Sequence, residues 1–100
     1  MKFGIKDNTF ELIVNALKDC NEIDSAVVFG SRAKGNYKKG SDIDIALKGE
    51  NLSDEIITRL SRIINIDLPV PYKVDLINYN HIKNKDLLEH IERSGVSIFL

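Results

Sequence analysis

Acidic and aliphatic side chains alternate near the middle of the chain, in the segment Asp42-Ile43-Asp44-Ile45-Ala46-Leu47. Successive side chains of a β-strand point to opposite faces, so this alternation predicts a strand over Asp42–Leu47 with its aliphatic side chains in a core. Asp42 and Asp44 then leave the strand on the same face. Strand interiors disfavour aspartate and adjacent like charges, so the fold must offset the repulsion between these two carboxylates.

A third aspartate interrupts another apolar run, Tyr72–Ile77, which predicts a further strand carrying Asp75. Paired strands lie ~4.8 Å apart, so neighbouring strands would bring Asp75 to Asp42 and Asp44. Oxygen ligands without adjacent histidine or cysteine suit Mg²⁺ or Mn²⁺ better than Zn²⁺. Taken alone, Asp42 and Asp44 fit solvent-facing acids equally well, and Asp75 fits a surface acid or a structural hydrogen bond better.

A polar, glycine-punctuated loop over residues 31–41 precedes the first two acids. It follows the apolar run Ser25–Phe29, which predicts a strand buried on both faces. A strand that ends at Gly30 and passes through Ser31 into a helical turn presents backbone N–H groups that favour anions. Four cations lie within eight residues of the loop: Arg32, Lys34, Lys38 and Lys39. Each feature alone fits an ordinary solvated loop, but together with the carboxylates they predict a site for Mg²⁺-bound polyphosphate.

The remaining apolar periodicity predicts three helices on a small sheet. One spans about residues 9–19 with its N-cap among Asp7–Thr9, and one spans about residues 53–66 with Ser53 as N-cap. The last helix ends at Gly95 in a C′ position, and Val96–Leu100 forms a short edge strand or a docked tail. The order α-β-β-α-β-α predicts an α/β (α+β) fold with helices packed on a small mixed β-sheet.

Composition narrows the class of protein. A chain of 100 residues with 43% hydrophobic residues suits one domain over residues 1–100. Fourteen Lys and Arg against fifteen Asp and Glu give a net charge of −1, which argues against direct nucleic-acid binding through a broad basic face. The single cysteine, Cys20, forms no internal disulfide. No signal-peptide pattern or membrane span is visible, so we expect a cytoplasmic domain with no membrane contact.

The motifs taken together resemble those of a known superfamily. Gly30-Ser31, ten residues and then Asp42-Ile43-Asp44 is similar to the GS-x10-DxD signature of the DNA polymerase β-like nucleotidyltransferases, and Asp75 stands where they carry a third carboxylate. The flanking residues 28–35 and 40–46 resemble the minimal nucleotidyltransferase (MNT) branch, and the resemblance covers most of the chain.

This resemblance implies the polymerase β-like fold and a magnesium-dependent transfer of a nucleoside monophosphate, most simply AMP from ATP, to a hydroxyl. Two Mg²⁺ ions, with Mn²⁺ as an alternative, would be held by Asp42, Asp44 and Asp75. Asp75 would also help to activate the acceptor hydroxyl. The nucleotide-binding residues would be Gly30, Ser31, Arg32 and Lys34.

The acceptor is predicted from the same resemblance, because the residues after Asp75 predict only a helix and a tail. MNT proteins usually pair with a small helical HEPN protein, so the resemblance implies an antitoxin that adenylylates a tyrosine of a HEPN toxin, an RNase. The acceptor could instead come from a homo-oligomer interface. Two alternatives remain: transfer to a small molecule such as an aminoglycoside, and a catalytically idle module that masks its partner.

Overall fold

The computed structural model describes residues 2–99 and contains four helices and four strands within that range. In chain order these are α1 (Asp7–Lys18), β1 (Ser25–Phe29), the single turn α2 (Ser31–Lys34), β2 (Ile43–Lys48), α3 (Asp54–Arg62), β3 (Val74–Asn78), α4 (Lys85–Ser94) and β4 (Val96–Phe99). A π-helical turn, Ile63–Asp67, extends α3, and a 3-10 turn, Tyr79–His81, follows β3. The predicted order of elements is confirmed.

The strands form one mixed sheet in the order β3-β2-β1-β4. β1 is antiparallel to both β2 and β4, whereas β2 and β3 are parallel. β4 therefore occupies an edge, which is the first of the two alternatives predicted for Val96–Leu100, while Leu100 lies outside the described residues. The parallel pairing of β2 and β3 decides the geometry of the site, because it places residues of these two strands side by side in register.

Each face of the sheet is covered by a different set of helices. The aliphatic side chains Ile43, Ile45 and Leu47 are buried on one face together with Ile13 of α1 and Leu60 of α3. The other face packs against α4 through a second cluster of four buried residues: Val27, Phe29, Ala46 and Ile91. β1 is thus covered on both sides, as predicted for a continuous apolar run.

Helix α1 begins two residues earlier than predicted. Its N-cap position is Lys6, which makes no side-chain cap, and the Asn8 side chain accepts from the Thr9 N–H instead. Ser53 does cap α3, since its hydroxyl accepts from the Ile56 N–H at 3.3 Å.

Gly95 directly follows the last residue of α4, as predicted, but a left-handed backbone conformation is not the reason for a glycine there. Gly95 has φ −70° and ψ 149°, which any residue can adopt. Space explains its position better, because a Cβ there would overlap the Ile91 carbonyl oxygen and a methyl of Val27. The glycine lets the end of α4 lie directly on β1, and the chain then turns straight into β4.

None of the helices within residues 2–99 combines the length and the apolar character that a membrane crossing requires.

Candidate functional site

Asp44 and Asp75 lie directly opposite each other on the parallel strands β2 and β3. In-register residues of neighbouring strands point to the same face and are separated by about 4.8 Å between strand axes. On that face, Ala46 and Ile77, each two residues further along its strand, belong to the cluster under α4. The two carboxylates therefore lie on the same face as α4, at the end of the sheet where β2 and β3 begin. Asp44 and Asp75, which were predicted from two separate motifs, thus form a pair across β2 and β3.

The charge environment of Asp44 reflects this pairing. Burial raises the pKa of its carboxyl above the ordinary value of 3.8, and the negative charges of Asp75 and then Asp42 raise it further, while Lys73 opposes them. Asp42 immediately precedes β2, which begins one residue later than predicted, and its side chain is exposed. The three predicted acids thus form one electrostatic cluster with Asp44 at its centre.

Gly30 places the predicted phosphate turn against the same cluster. It ends β1 with φ 77° and ψ −154°, a backbone conformation that is essentially restricted to glycine. A Cβ at this position would lie 2.7 Å from Oδ2 of Asp44, so the absence of a side chain is what admits the carboxylate. The chain then enters α2 at Ser31, which confirms the helical turn predicted there.

The turn leaves groups suited to an anion. Gly30 and Ser31 carbonyls accept from the N–H groups of Lys34 and Gly35, at 3.1 and 3.0 Å. The first N–H groups of a helical turn have no acceptor inside it, so those after Gly30 point away from the turn. Ser31 is half-buried, and Lys34 is exposed at the end of the turn. Gly30, Ser31 and Lys34 therefore lie in the turn that abuts Asp44.

Arg32 lies elsewhere. Its side chain is only 3% exposed, and its Nε and Nη1 donate to the carbonyl oxygens of Ser41 and Phe3 at 2.9 and 2.8 Å. The guanidinium carbon also lies over the ring of Tyr37 and over the ring of Tyr72. A contact between Arg32 and nucleotide stays a prediction, and the structure shows its guanidinium engaged with the polypeptide.

Two further residues hold Asp75 in place, and the sequence reading did not identify either. Lys73 forms an exposed ion pair with Asp75, Nζ to Oδ1 at 3.6 Å. The Asn65 side chain pairs with both backbone groups of Val74: it accepts from the N–H at 2.8 Å and donates to the carbonyl at 2.9 Å. Asn65 thus acts as a one-residue strand partner at the edge of β3. It lies in the π-helical turn, and a polar residue within the run Ile63-Ile64-Asn65-Ile66 was the available signal.

Among residues 2–99 no three His, Cys, Asp or Glu side chains converge closely enough to form a preassembled metal cluster. This arrangement still fits magnesium, which is commonly held by one or two carboxylates together with substrate phosphates and water. The in-register pair Asp44 and Asp75 supplies those carboxylates, and their mutual repulsion favours a cation between them. The ammonium of Lys73 already occupies one side of this pair.

A separate groove of about 510 Å³ runs beside β3 without touching any predicted site residue. Its walls come from α3, from β3 and from the segment leading into α4, and they include Ile57, Leu76, Ile77, Ile82 and Leu87. Two of its lining residues, Leu76 and Ile77, follow Asp75 along β3. A His81–Asp54 pair, 3.1 Å between Nδ1 and Oδ1, lies among its polar residues.

Comparison with known proteins gives one family and a set of similar folds. The family model described as "Polymerase beta, Nucleotidyltransferase" matches residues 11–100. No curated protein sequence matches the chain.

Among solved structures, a chain of a toxin–antitoxin complex with AMP-PNP superimposes with a TM-score of 0.71 at 22% identity, over 95% of this chain and 73% of that one. A chain from a tri-AMPylated Shewanella oneidensis HEPN toxin in complex with MNT antitoxin gives 0.69 at 19% identity, over 92% and 70%. At these identities the likeness is one of fold, and it confirms the small mixed sheet with packed helices.

Proposed function

Because this chain belongs to the polymerase β nucleotidyltransferase family, we propose that it transfers AMP from ATP to a tyrosine hydroxyl of a HEPN-type toxin and so acts as its antitoxin. One observation carries the catalytic part of this proposal. Asp44 and Asp75 lie opposite each other in register, and the glycine of the phosphate turn lies against Asp44. An acidic pair next to an anion-binding turn is the arrangement that a metal–triphosphate requires.

Asp44 and Asp75, with Asp42 at the entrance to β2, are the residues that would hold Mg²⁺ or Mn²⁺. When bound, the metal neutralises triphosphate charge and stabilises the attacking and leaving oxygens of a displacement at phosphorus. Without a cation, the raised pKa of Asp44 shows that its ionised form is disfavoured by burial and by the other two acids. Cation binding relieves that repulsion, so the charge on these side chains favours a metal-loaded nucleotide over free ATP.

The phosphate turn would hold the far end of the triphosphate. Gly30 lets the backbone approach a phosphate closely because it has no side chain, and Ser31 offers an N–H and a hydroxyl as donors. Lys34 is exposed at the end of the turn, and its ammonium is available to phosphate charge. These three residues orient the β- and γ-phosphates, so that the α-phosphorus faces the carboxylates.

Asp75 is the candidate proton acceptor. Its side chain is 42% exposed, so a hydroxyl from outside can reach it. In the proposed step the acceptor oxygen forms a bond to the α-phosphorus, the bond from that phosphorus to the bridging oxygen of pyrophosphate breaks, and the hydroxyl proton passes to Asp75. The products are an adenylylated side chain and pyrophosphate.

The structural neighbours support the choice of acceptor. One is a toxin–antitoxin complex with AMP-PNP, and another contains a tri-AMPylated HEPN toxin with its MNT antitoxin. Both align over nine-tenths or more of this chain, so the proposed partner is a HEPN-type protein rather than an aminoglycoside. Such a function places the protein in the cytoplasm, where ATP and an RNase toxin meet.

The test uses ATP labelled at the α-phosphate, Mg²⁺ and a HEPN-type protein that co-purifies with this chain. We expect label on a partner tyrosine, identified by mass spectrometry, and no transfer from γ-labelled ATP. Asp44→Asn should abolish transfer, whereas the matched control Asp67→Asn, at an exposed acid in the π-helical turn, should not. Absence of transfer by the wild-type chain, or toxin neutralisation undiminished in Asp44→Asn, would favour masking of the partner instead.

A further inference from the structure

We propose that Arg32 is a positioning residue that fixes the phosphate turn and the Asp42–Asp44 motif relative to each other. The inference deepens the proposed function and rests on it. Arg32 directly follows Ser31 of the turn, and its Nε donates to the carbonyl of Ser41, the residue immediately before Asp42. One buried side chain thus links the two halves of the site across nine residues of loop.

The guanidinium also contacts two aromatic rings. The Tyr37 ring centroid lies 5.0 Å from its central carbon, and that of Tyr72 lies 4.8 Å away. Tyr37 belongs to the loop between the turn and β2, while Tyr72 lies three residues before Asp75. A planar guanidinium stacks on aromatic rings and donates in fixed directions, which a lysine ammonium cannot do. The contact with Tyr72 therefore also connects Arg32 to the segment that carries Asp75. We call Arg32 and the residues that it contacts here, Ser41, Tyr37 and Tyr72, the clamp.

The amino-terminal segment also contacts Arg32. Arg32 Nη1 donates to the carbonyl of Phe3, whose φ of 58° lies in the left-handed region that a bulky residue rarely adopts. Gly4 follows with φ 71°, and a Cβ there would overlap the Tyr37 ring. The Ile5 N–H donates back to the Lys2 carbonyl at 2.9 Å, which closes a tight turn. We call residues 2–5 the strap. Its unusual backbone is held where Arg32 and Tyr37 meet it.

These contacts explain why the charged Arg32 side chain is buried next to the predicted phosphate turn. A direct ligand of the triphosphate would turn its donors toward the nucleotide, yet two of the three guanidinium nitrogens, Nε and Nη1, donate to backbone carbonyls. A side chain that is 3% exposed also has little surface to offer a ligand. Its effect on transfer must therefore pass through the residues it holds, namely Ser41 and the carboxylates beyond it.

The experiment compares Arg32→Lys with Arg62→Lys, a matched change at an exposed arginine of α3. Hydrogen exchange is measured without nucleotide at two bonded amides, Ile5 in the strap and Ser41 in the loop. We expect Arg32→Lys to speed exchange at both by about tenfold or more, with α4 amides unchanged, because local opening reports the lost clamp. Arg62→Lys should change none of them.

Kinetics of transfer to the partner form the second arm. We expect Arg32→Lys to lower kcat by about tenfold or more while the KM for ATP changes less than about threefold, because the substrate contacts remain and only alignment is lost. Added guanidinium ion should restore part of the rate to Arg32→Ala. If that variant does not fold, Tyr72→Leu, which removes one of the two ring contacts, should speed Ile5 and Ser41 exchange in the same direction.

Two results would overturn the inference. A large rise in the KM for ATP with unchanged exchange would make Arg32 a direct ligand of the triphosphate. Unchanged exchange and unchanged kcat would leave it without a positioning role. Because the exchange arm contains no nucleotide, it stays readable even if the chain transfers no AMP, so failure of the proposed function and failure of this inference are distinguishable.

Discussion

Replacing Gly30 with alanine tests whether the glycine is there to admit the carboxylate of Asp44. The substitution has two separate consequences. The residue at position 30 has φ 77° and ψ −154°, which an alanine adopts only under strain. The new methyl group would also lie 2.7 Å from Asp44 Oδ2, well inside ordinary contact.

The expected losses of stability and of rate follow from the backbone angles of Gly30 and from the 2.7 Å contact with Asp44. Backbone strain in this region costs about 1–3 kcal/mol, which we expect to appear as a loss in the free energy of unfolding. The carboxylate must also retreat by about 0.7 Å, the difference between 2.7 Å and the 3.4 Å at which ordinary contact begins. A displacement near 1 Å at a reacting group costs on the order of 10²-fold in rate, so AMP transfer should fall by about that factor.

Gly35 supplies the matched control, because it ends the same helical turn at a similar φ of 86° and nothing lies within 4 Å of a Cβ built there. Gly35→Ala should therefore cost about 1–2 kcal/mol of stability through backbone strain alone. With no contact to Asp44, it should change the rate of AMP transfer by less than about threefold.

The assay is the initial rate of AMP transfer to the partner at saturating ATP and Mg²⁺, alongside urea unfolding of each variant. If Gly30→Ala retained a rate within a few-fold of Gly35→Ala at equal folded fraction, contact with Asp44 would not matter to the site. The reasoning that ties the phosphate turn to the carboxylates would then be refuted.

Without divalent metal, Asp44→Asn should raise stability at pH 7. The folded pKa of Asp44 lies above the ordinary 3.8, so its ionisation weakens the fold as the pH rises through that folded pKa. The gain over wild type in urea unfolding should shrink toward pH 3, and a less stable Asp44→Asn at pH 7 would contradict this sign. Asn65→Ala leaves the N–H and carbonyl of buried Val74 without their side-chain partner, so the free energy of unfolding should fall by about 2–4 kcal/mol. Asn65→Asp should have an intermediate effect, because it keeps the acceptor oxygen. A cost below that of an ordinary surface change would show that water replaces the amide. Ser53→Ala removes the cap on the Ile56 N–H and should lower stability by about 1 kcal/mol, with Ser53→Asp as the control that restores it.

The elements that sequence reasoning located best are those with strong local patterns. The run Ser25–Phe29 has the same bounds as β1, because its last four residues are buried apolar side chains and Gly30 ends the strand. The Gly30–Ser31 turn and the cap at Ser53 were also correct, since each depends on bonds within a few residues. Turns and helix caps can be predicted from sequence when the bonded residues lie close together in the chain.

The register of Asp44 and Asp75 was only a conditional expectation from the sequence. Alternation assigns each acid to a face, but it does not say which strands are neighbours or that β2 and β3 run parallel. Contacts between residues that are distant in the sequence account for the roles that local patterns did not predict. Arg32 donates to carbonyls nine and twenty-nine residues away, and Asn65, in the π-helical turn, pairs with Val74 nine residues away.

The central claim is that Asp44 and Asp75 together bind a metal-loaded nucleotide. Calorimetric titration with a non-hydrolysable ATP analogue, with and without Mg²⁺, measures this binding without needing a partner protein. We predict binding that requires Mg²⁺ in the wild type and in Asp67→Asn, and that weakens about tenfold or more in both Asp44→Asn and Asp75→Asn, since each removes a carboxylate of the pair. Mg²⁺-dependent affinity that is unchanged in both site variants would contradict the account.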